Sequence, residues 1–141
     1  MWAQGTYKAT FTTLPTAADA VRRILLNPDA TQNRVVPVRN FEASLGEIVA
    51  LLEEAQGVKY TLTPVENTEE LIKSKQKQWV ESGEQDVGAA LWLVKAGFLL
   101  PEYGSNFAES SRWTLGNELV DFPAEGATLR DVIRDIVAKY F

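Results

Sequence analysis

Apolar residues recur at helical spacing in five stretches of the chain, and most of these stretches carry their own start and stop signals. The first opens at Thr16, with Asp19 three residues on, and lines up Ala17, Ala20, Val21, Ile24 and Leu25. Asn27-Pro28 ends it, because the residue before a proline resists the α region. The second has a capping box, Ser44 with Glu47, and a stripe of Ile48, Leu51, Leu52 and Ala55 before Gly57. The third starts near Asn67-Thr68, with Glu70 available to cap, runs through Leu71, Ile72 and Trp79, and stops by Gly83; its Lys and Gln positions predict a solvated face. The fourth, about Asp86 to Phe98, is apolar at Val87, Ala89, Ala90, Leu91, Trp92, Leu93 and Val94, which predicts burial nearly all round. The fifth sets Leu129, Val132, Ile133, Ile136, Val137 and Tyr140 on one face behind Thr128.

Strand patterns are fewer. Val35 to Val38 and Tyr60 to Val65 read as short strands, and Tyr7 to Thr13 as a possible third. With the second helix between the first two, the pattern predicts a βαβ unit with parallel strands and a right-handed crossover. The expected class is α+β: five main helices around a small βαβ-type parallel sheet, in a single domain over residues 1–141. From Leu99 to Ala127, glycines and prolines predict a long loop, and long loops in compact domains are usually functional or braced by another surface. No repeat or low-complexity tract interrupts the pattern.

Composition narrows the chemistry. The 141 residues are 45% hydrophobic and 23% charged, as in a globular protein, and the net charge of −5 lacks the basic footprint that nucleic acid needs. Cys and His are both absent. Thiol nucleophiles, disulfides, Cys/His zinc sites and His-based triads are therefore excluded. No apolar leader pattern marks the start, and the longest apolar stretch, Val87 to Leu100, is short for a bilayer span and contains Lys95. A soluble cytoplasmic protein without a membrane segment is expected. There is no Gly-rich turn between a strand and a helix, so neither Rossmann nor Walker chemistry is indicated.

The conspicuous polar-aromatic cluster runs from Glu102-Tyr103-Gly104-Ser105-Asn106-Phe107 through Arg112-Trp113 to Asn117-Glu118, directly after the Trp92 helix. Aromatics beside a few polar groups are the material of a small-molecule pocket. The plainer reading makes Trp92, Phe98, Phe107 and Trp113 core and Tyr103 a packing residue. The carboxylates Asp86, Glu102, Glu109, Glu118 and Asp121 are acid–base candidates if apolar walls raise their pKa. The run Lys73, Lys75, Lys77 reads as a solvated helix face.

Several segments in order resemble the NmrA-like/isoflavone-reductase-like proteins, particularly fungal ones. They are Thr12-Thr13-Leu14, Ala20 to Leu26 with Asn27-Pro28, and Thr31-Gln32-Asn33-Arg34-Val35-Val36. The match continues through Glu47 to Ala55, the Trp79 helix, Gly97-Phe98, Tyr103-Gly104 and Phe107, and Leu115-Gly116-Asn117-Glu118-Leu119. The resemblance implies the C-terminal substrate-binding lobe of an atypical short-chain dehydrogenase, without the Rossmann half that carries the NADPH-binding turn and a catalytic lysine. One departure is local: Thr16-Ala17-Ala18 stands where the family commonly has Asp-Ile-Gly.

The expected function is a cofactor-independent small-molecule enzyme of secondary metabolism, a cyclase, isomerase or pericyclase-like protein. Orientation of a reactive substrate alone can contribute on the order of 7–11 kcal/mol. Tyr103, Glu102 and Glu118 are the expected catalytic residues, and Trp92, Phe107, Trp113 and Asn117 the expected substrate-binding ones. No cofactor or metal is expected. Alternatives are a regulatory or binding module, or a fragment of an NADPH-dependent reductase. The partners expected are an apolar small molecule and a second copy of the chain in a two-fold homodimer, joined through apolar surface near Tyr7–Phe11 and Val35–Val38.

Overall fold

The computed structural model describes residues 5–109, 114–122 and 127–141. In chain order the elements are β1 (Lys8–Phe11), α1 (Leu14–Leu26), α2 (Pro28–Thr31), β2 (Phe41–Ser44), α3 (Leu45–Gln56), α4 (Thr68–Glu81), α5 (Val87–Leu99) and α6 (Leu129–Tyr140). Short 3₁₀ turns occur at Pro101–Tyr103 and Glu118–Val120. All five expected helices form, and the α+β class holds.

Their ends follow local chemistry. Thr13 caps α1 three residues before the expected opening at Thr16, its hydroxyl accepting from the Thr16 N–H with Pro15 in the first turn. The Ser44–Glu47 capping box forms in both directions at the head of α3, and Gly57 ends that helix in the left-handed region at φ 68°. Asp86 caps α5 by accepting from the Ala89 N–H at 2.9 Å. Thr128 and Asp131 make a second capping box at α6. At α4, Asn67 stands at the cap position but its side chain makes no cap bond.

The sheet is a correction. It has two strands, β1 and β2, paired antiparallel in the register Lys8↔Ser44 to Phe11↔Phe41. The parallel βαβ unit does not form. Val35–Val38 is extended but unpaired: Pro37 lacks a donor, and its carbonyl accepts instead from the Gly116 N–H at 2.8 Å. Val36 and Val38 pack on a cluster of Ala20, Val120 and Phe122. Tyr60–Val65 is also not a strand; Pro64 interrupts its donors, the Tyr60 N–H goes to the Glu53 carboxylate at 2.9 Å, and Val65 packs toward α4 and α5. The possible third strand, Tyr7–Thr13, contains β1. Its partner β2 had no clear strand pattern, because it is four residues long and its last, Ser44, belongs to the α3 start signal.

Two pairs carry most of the helix–helix packing: α4 against α5, and α3 against α6. Ile72, Ala96 and Leu100 form the core of the first, with Trp92 and Leu93 against them. The expectation that α5 is buried all round fails, since only Ala89 and Ala96 are fully buried and one face is open. The edge of β1 is also not the open surface expected. Ala9 and Thr10 are buried, and the Thr10 N–H donates to the Ser105 carbonyl at 2.9 Å, so the chain after α5 runs along the strand.

Candidate functional site

A cleft of about 720 Å³ opens where β1, the C-terminal end of α5 and the turn after α5 meet. β1 and its continuation contribute Thr10, Phe11 and Thr12; α5 contributes Val94, Gly97 and Phe98; Val38 and the segment from Tyr103 to Phe107 complete the walls. Phe11 is the centre of a row of rings, 6.2 Å from Phe41 and 6.4 Å from Phe98 between centroids. The tilts of 24° and 25° and these separations are those of offset stacked pairs.

The wall is fixed by hydrogen bonds that use up most of its polar groups. The Phe107 N–H donates to the Thr10 hydroxyl oxygen at 2.8 Å, Ser105 Oγ donates to the Phe98 carbonyl at 2.9 Å, and Thr12 Oγ1 donates to the Val38 carbonyl at 3.0 Å. Asn106 is buried behind the wall, its N–H on the Tyr7 hydroxyl at 3.2 Å. Gly104, at φ 66°, turns the chain back after the 3₁₀ turn and lets Tyr103 reach the cleft. The Tyr103 hydroxyl has no hydrogen-bond partner among the described residues, and the residue is half exposed.

The residues expected from sequence separate. Tyr103 and Phe107 line the cleft. Trp92 instead packs into the α4–α5 core beside Ile72, with the Lys95 ammonium 5.7 Å from its ring centroid. Glu102 faces a second depression toward α4, with Glu69, Ile72 and Lys73. Glu118 lies in a groove with Arg39, Asn40 and Glu42. Asn117 is a bracket: its Oδ1 accepts from the Arg39 N–H at 3.2 Å and its Nδ2 donates to the Arg39 carbonyl at 3.0 Å. Trp113 lies outside the described residues. Sequence reading missed Phe11, Val38, Val94 and Gly97, and took Phe98 for core. The available signal was the alternation around Phe11, which could not be joined to α5 without knowing that they meet.

Among the described residues, every resolved carboxyl shift runs downward. The Arg23 and Arg22 guanidiniums lower Asp19, and the Ser44 N–H lowers Glu47. Lys59 lowers Glu53, and Lys73 lowers Glu69. Asp86, a candidate acid in sequence, is lowered chiefly by the Ala89 N–H it caps, and Asp131 chiefly by the Thr128 hydroxyl. These are anions held in place, the opposite of a carboxyl kept protonated for general acid work. No group of three potential metal-binding side chains occurs among the described residues, and none of their helices is long and apolar enough to cross a membrane. No known protein family, curated protein or solved structure matches the chain.

Proposed function

We propose that this chain is a cofactor-independent enzyme of NmrA-like type that holds an apolar small molecule in the cleft beside Phe11 and promotes its cyclisation or isomerisation. The observation that carries the reading is the division of labour in the wall. Three phenylalanines and two valines supply an apolar surface, three hydroxyls are engaged by the chain itself, and one hydroxyl, on Tyr103, remains for a ligand. A carbonyl or enol oxygen of a folded substrate would meet that hydroxyl, while the rings restrict its conformation. Neither Glu102 nor Glu118 lines the cleft, so the proposed acid–base role narrows to Tyr103. The family resemblance supplies the setting, secondary metabolism in the cytoplasm without a nucleotide.

A purely binding role is the second reading, favoured by the cleft wall itself: Tyr103 is the one titratable side chain among its described lining residues. Tyr103→Phe separates the two. Binding of an anilinonaphthalene dye reports the cleft, and conversion of linear poly-carbonyl compounds without nucleotide reports turnover. Turnover by the wild type that falls at least tenfold in Tyr103→Phe, with dye affinity unchanged, supports the enzyme. Saturable dye binding that Phe98→Ala weakens, with no conversion by the wild type, supports the binding module.

A further inference from the structure

The face of α5 that the core does not use is apolar along its whole length. Val87, Leu91, Val94 and Phe98 are 68%, 54%, 55% and 47% exposed. Their spacings of four, three and four residues put them on one straight stripe of the kind that seams two helices together. The positions beside the stripe are small, Gly88, Ala90 and Gly97, with Lys95 the one charge among them. Small flanks allow a second helix to approach closely.

We propose that a second copy of this chain covers this stripe, with α5 packed antiparallel on α5 about a two-fold axis. The spacing reads the same in both directions, so one antiparallel register engages all four side chains at once: Leu91 against the partner's Val94, and Phe98 against the partner's Val87. Each contact then pairs a larger side chain with a smaller one, which fills the seam evenly. A two-fold interface requires such self-complementarity, since each contact must occur twice.

The area agrees. The stripe exposes a few hundred Å², at the limit of what monomers leave in one patch. The rim of the cleft, where Tyr103 is half exposed, extends the face toward the roughly 800 Å² per partner of a stable interface. Val94 and Phe98 also line the cleft, so the partner's Val87 would close its mouth. The pairing rests on the stripe and not on the ligand reading.

Sedimentation equilibrium of the full chain at micromolar concentration tests it. The expected mass is twice 15.7 kDa, returning to 15.7 kDa in Leu91→Glu and staying doubled in Val21→Glu, which alters the exposed part of α1 instead. A wild-type monomer overturns the proposal, as does a dimer that Val21→Glu abolishes and Leu91→Glu leaves intact. Orientation is read separately, because the chain has no cysteine of its own. Mixed Val87→Cys and Phe98→Cys proteins should form the mixed disulfide on oxidation; disulfides of Val87→Cys with itself would mean a parallel pair and sink the register.

Discussion

Two glycines decide opposite things. At Gly116 an added Cβ would stand 2.4 Å from Val36 Cγ1 and 3.4 Å from the Pro37 carbonyl oxygen, so the loop can lie on Val36–Val38 only without a side chain. Gly116→Ala should therefore cost about 1–3 kcal/mol by overpacking, seen as a lower urea midpoint at unchanged slope; an unchanged midpoint would mean Val36 moves aside freely. At Gly97 an added Cβ meets nothing within 4 Å, because that face of α5 opens on the cleft. Gly97→Ala should raise stability by roughly 0.5–1 kcal/mol, the ordinary helix-interior difference. Gly97→Leu should keep the fold and lose dye binding several-fold, which a titration reads directly. In sequence one sat in a predicted helix and the other in a predicted loop, and only the neighbours brought by distant segments show which has room for a side chain.

At the scale of elements, helices were legible because their signals are local. Ser44 and Glu47 are three residues apart and satisfy each other wherever the chain goes, as the Glu47 carboxylate accepting from the Ser44 N–H at 2.8 Å demonstrates. The strands were not legible for the complementary reason. Val35–Val38 has the residues of a strand, but Thr12 and Gly116 take two of its carbonyls from either side and leave no ladder. Phe41–Ser44 has little strand character and pairs because β1 lies opposite. Pairing is a property of two segments and cannot be read from one. The caps also set the acid response. Glu47, Asp86 and Asp131 have folded-state pKa values lowered by the groups they cap, so their stabilisation is present above the ordinary carboxylate range and is lost as pH falls through it. The melting temperature should thus fall as the pH drops from about 5 through the ordinary carboxylate range and below it. Ser44→Ala should cost about 1 kcal/mol at neutral pH by leaving the Glu47 N–H uncapped. Glu47→Gln should make the acid slope shallower, since it removes the carboxylate that the Ser44 N–H holds below its ordinary range; an unaltered slope would place the acid sensitivity elsewhere.

For the whole molecule, the site expected from sequence was drawn along one continuous stretch, Trp92 to Glu118, whereas the fold spreads that stretch over several surfaces. Tyr103 and Phe107 stay in the cleft, Trp92 turns into the α4–α5 core, and Asn117 is spent on holding Arg39. The same distribution bears on nucleotides. A dinucleotide pyrophosphate is held by free amide donors at a helix N-terminus behind a glycine-rich turn. Here Thr13, Ser44, Asp86 and Thr128 fill the N-termini of α1, α3, α5 and α6 with their own side chains, two of those ends also carrying Glu47 and Asp131. The N-terminus of α4 has no side-chain cap, but Glu69 and Glu70 occupy its first turn and repel an anion. With a net charge of −5, the chain adds no long-range attraction for a polyanion. NADPH titrated by calorimetry should therefore give no saturable heat below millimolar concentration. A stoichiometric micromolar isotherm would require a donor cluster outside these helix ends and would favour the alternative of a reductase fragment.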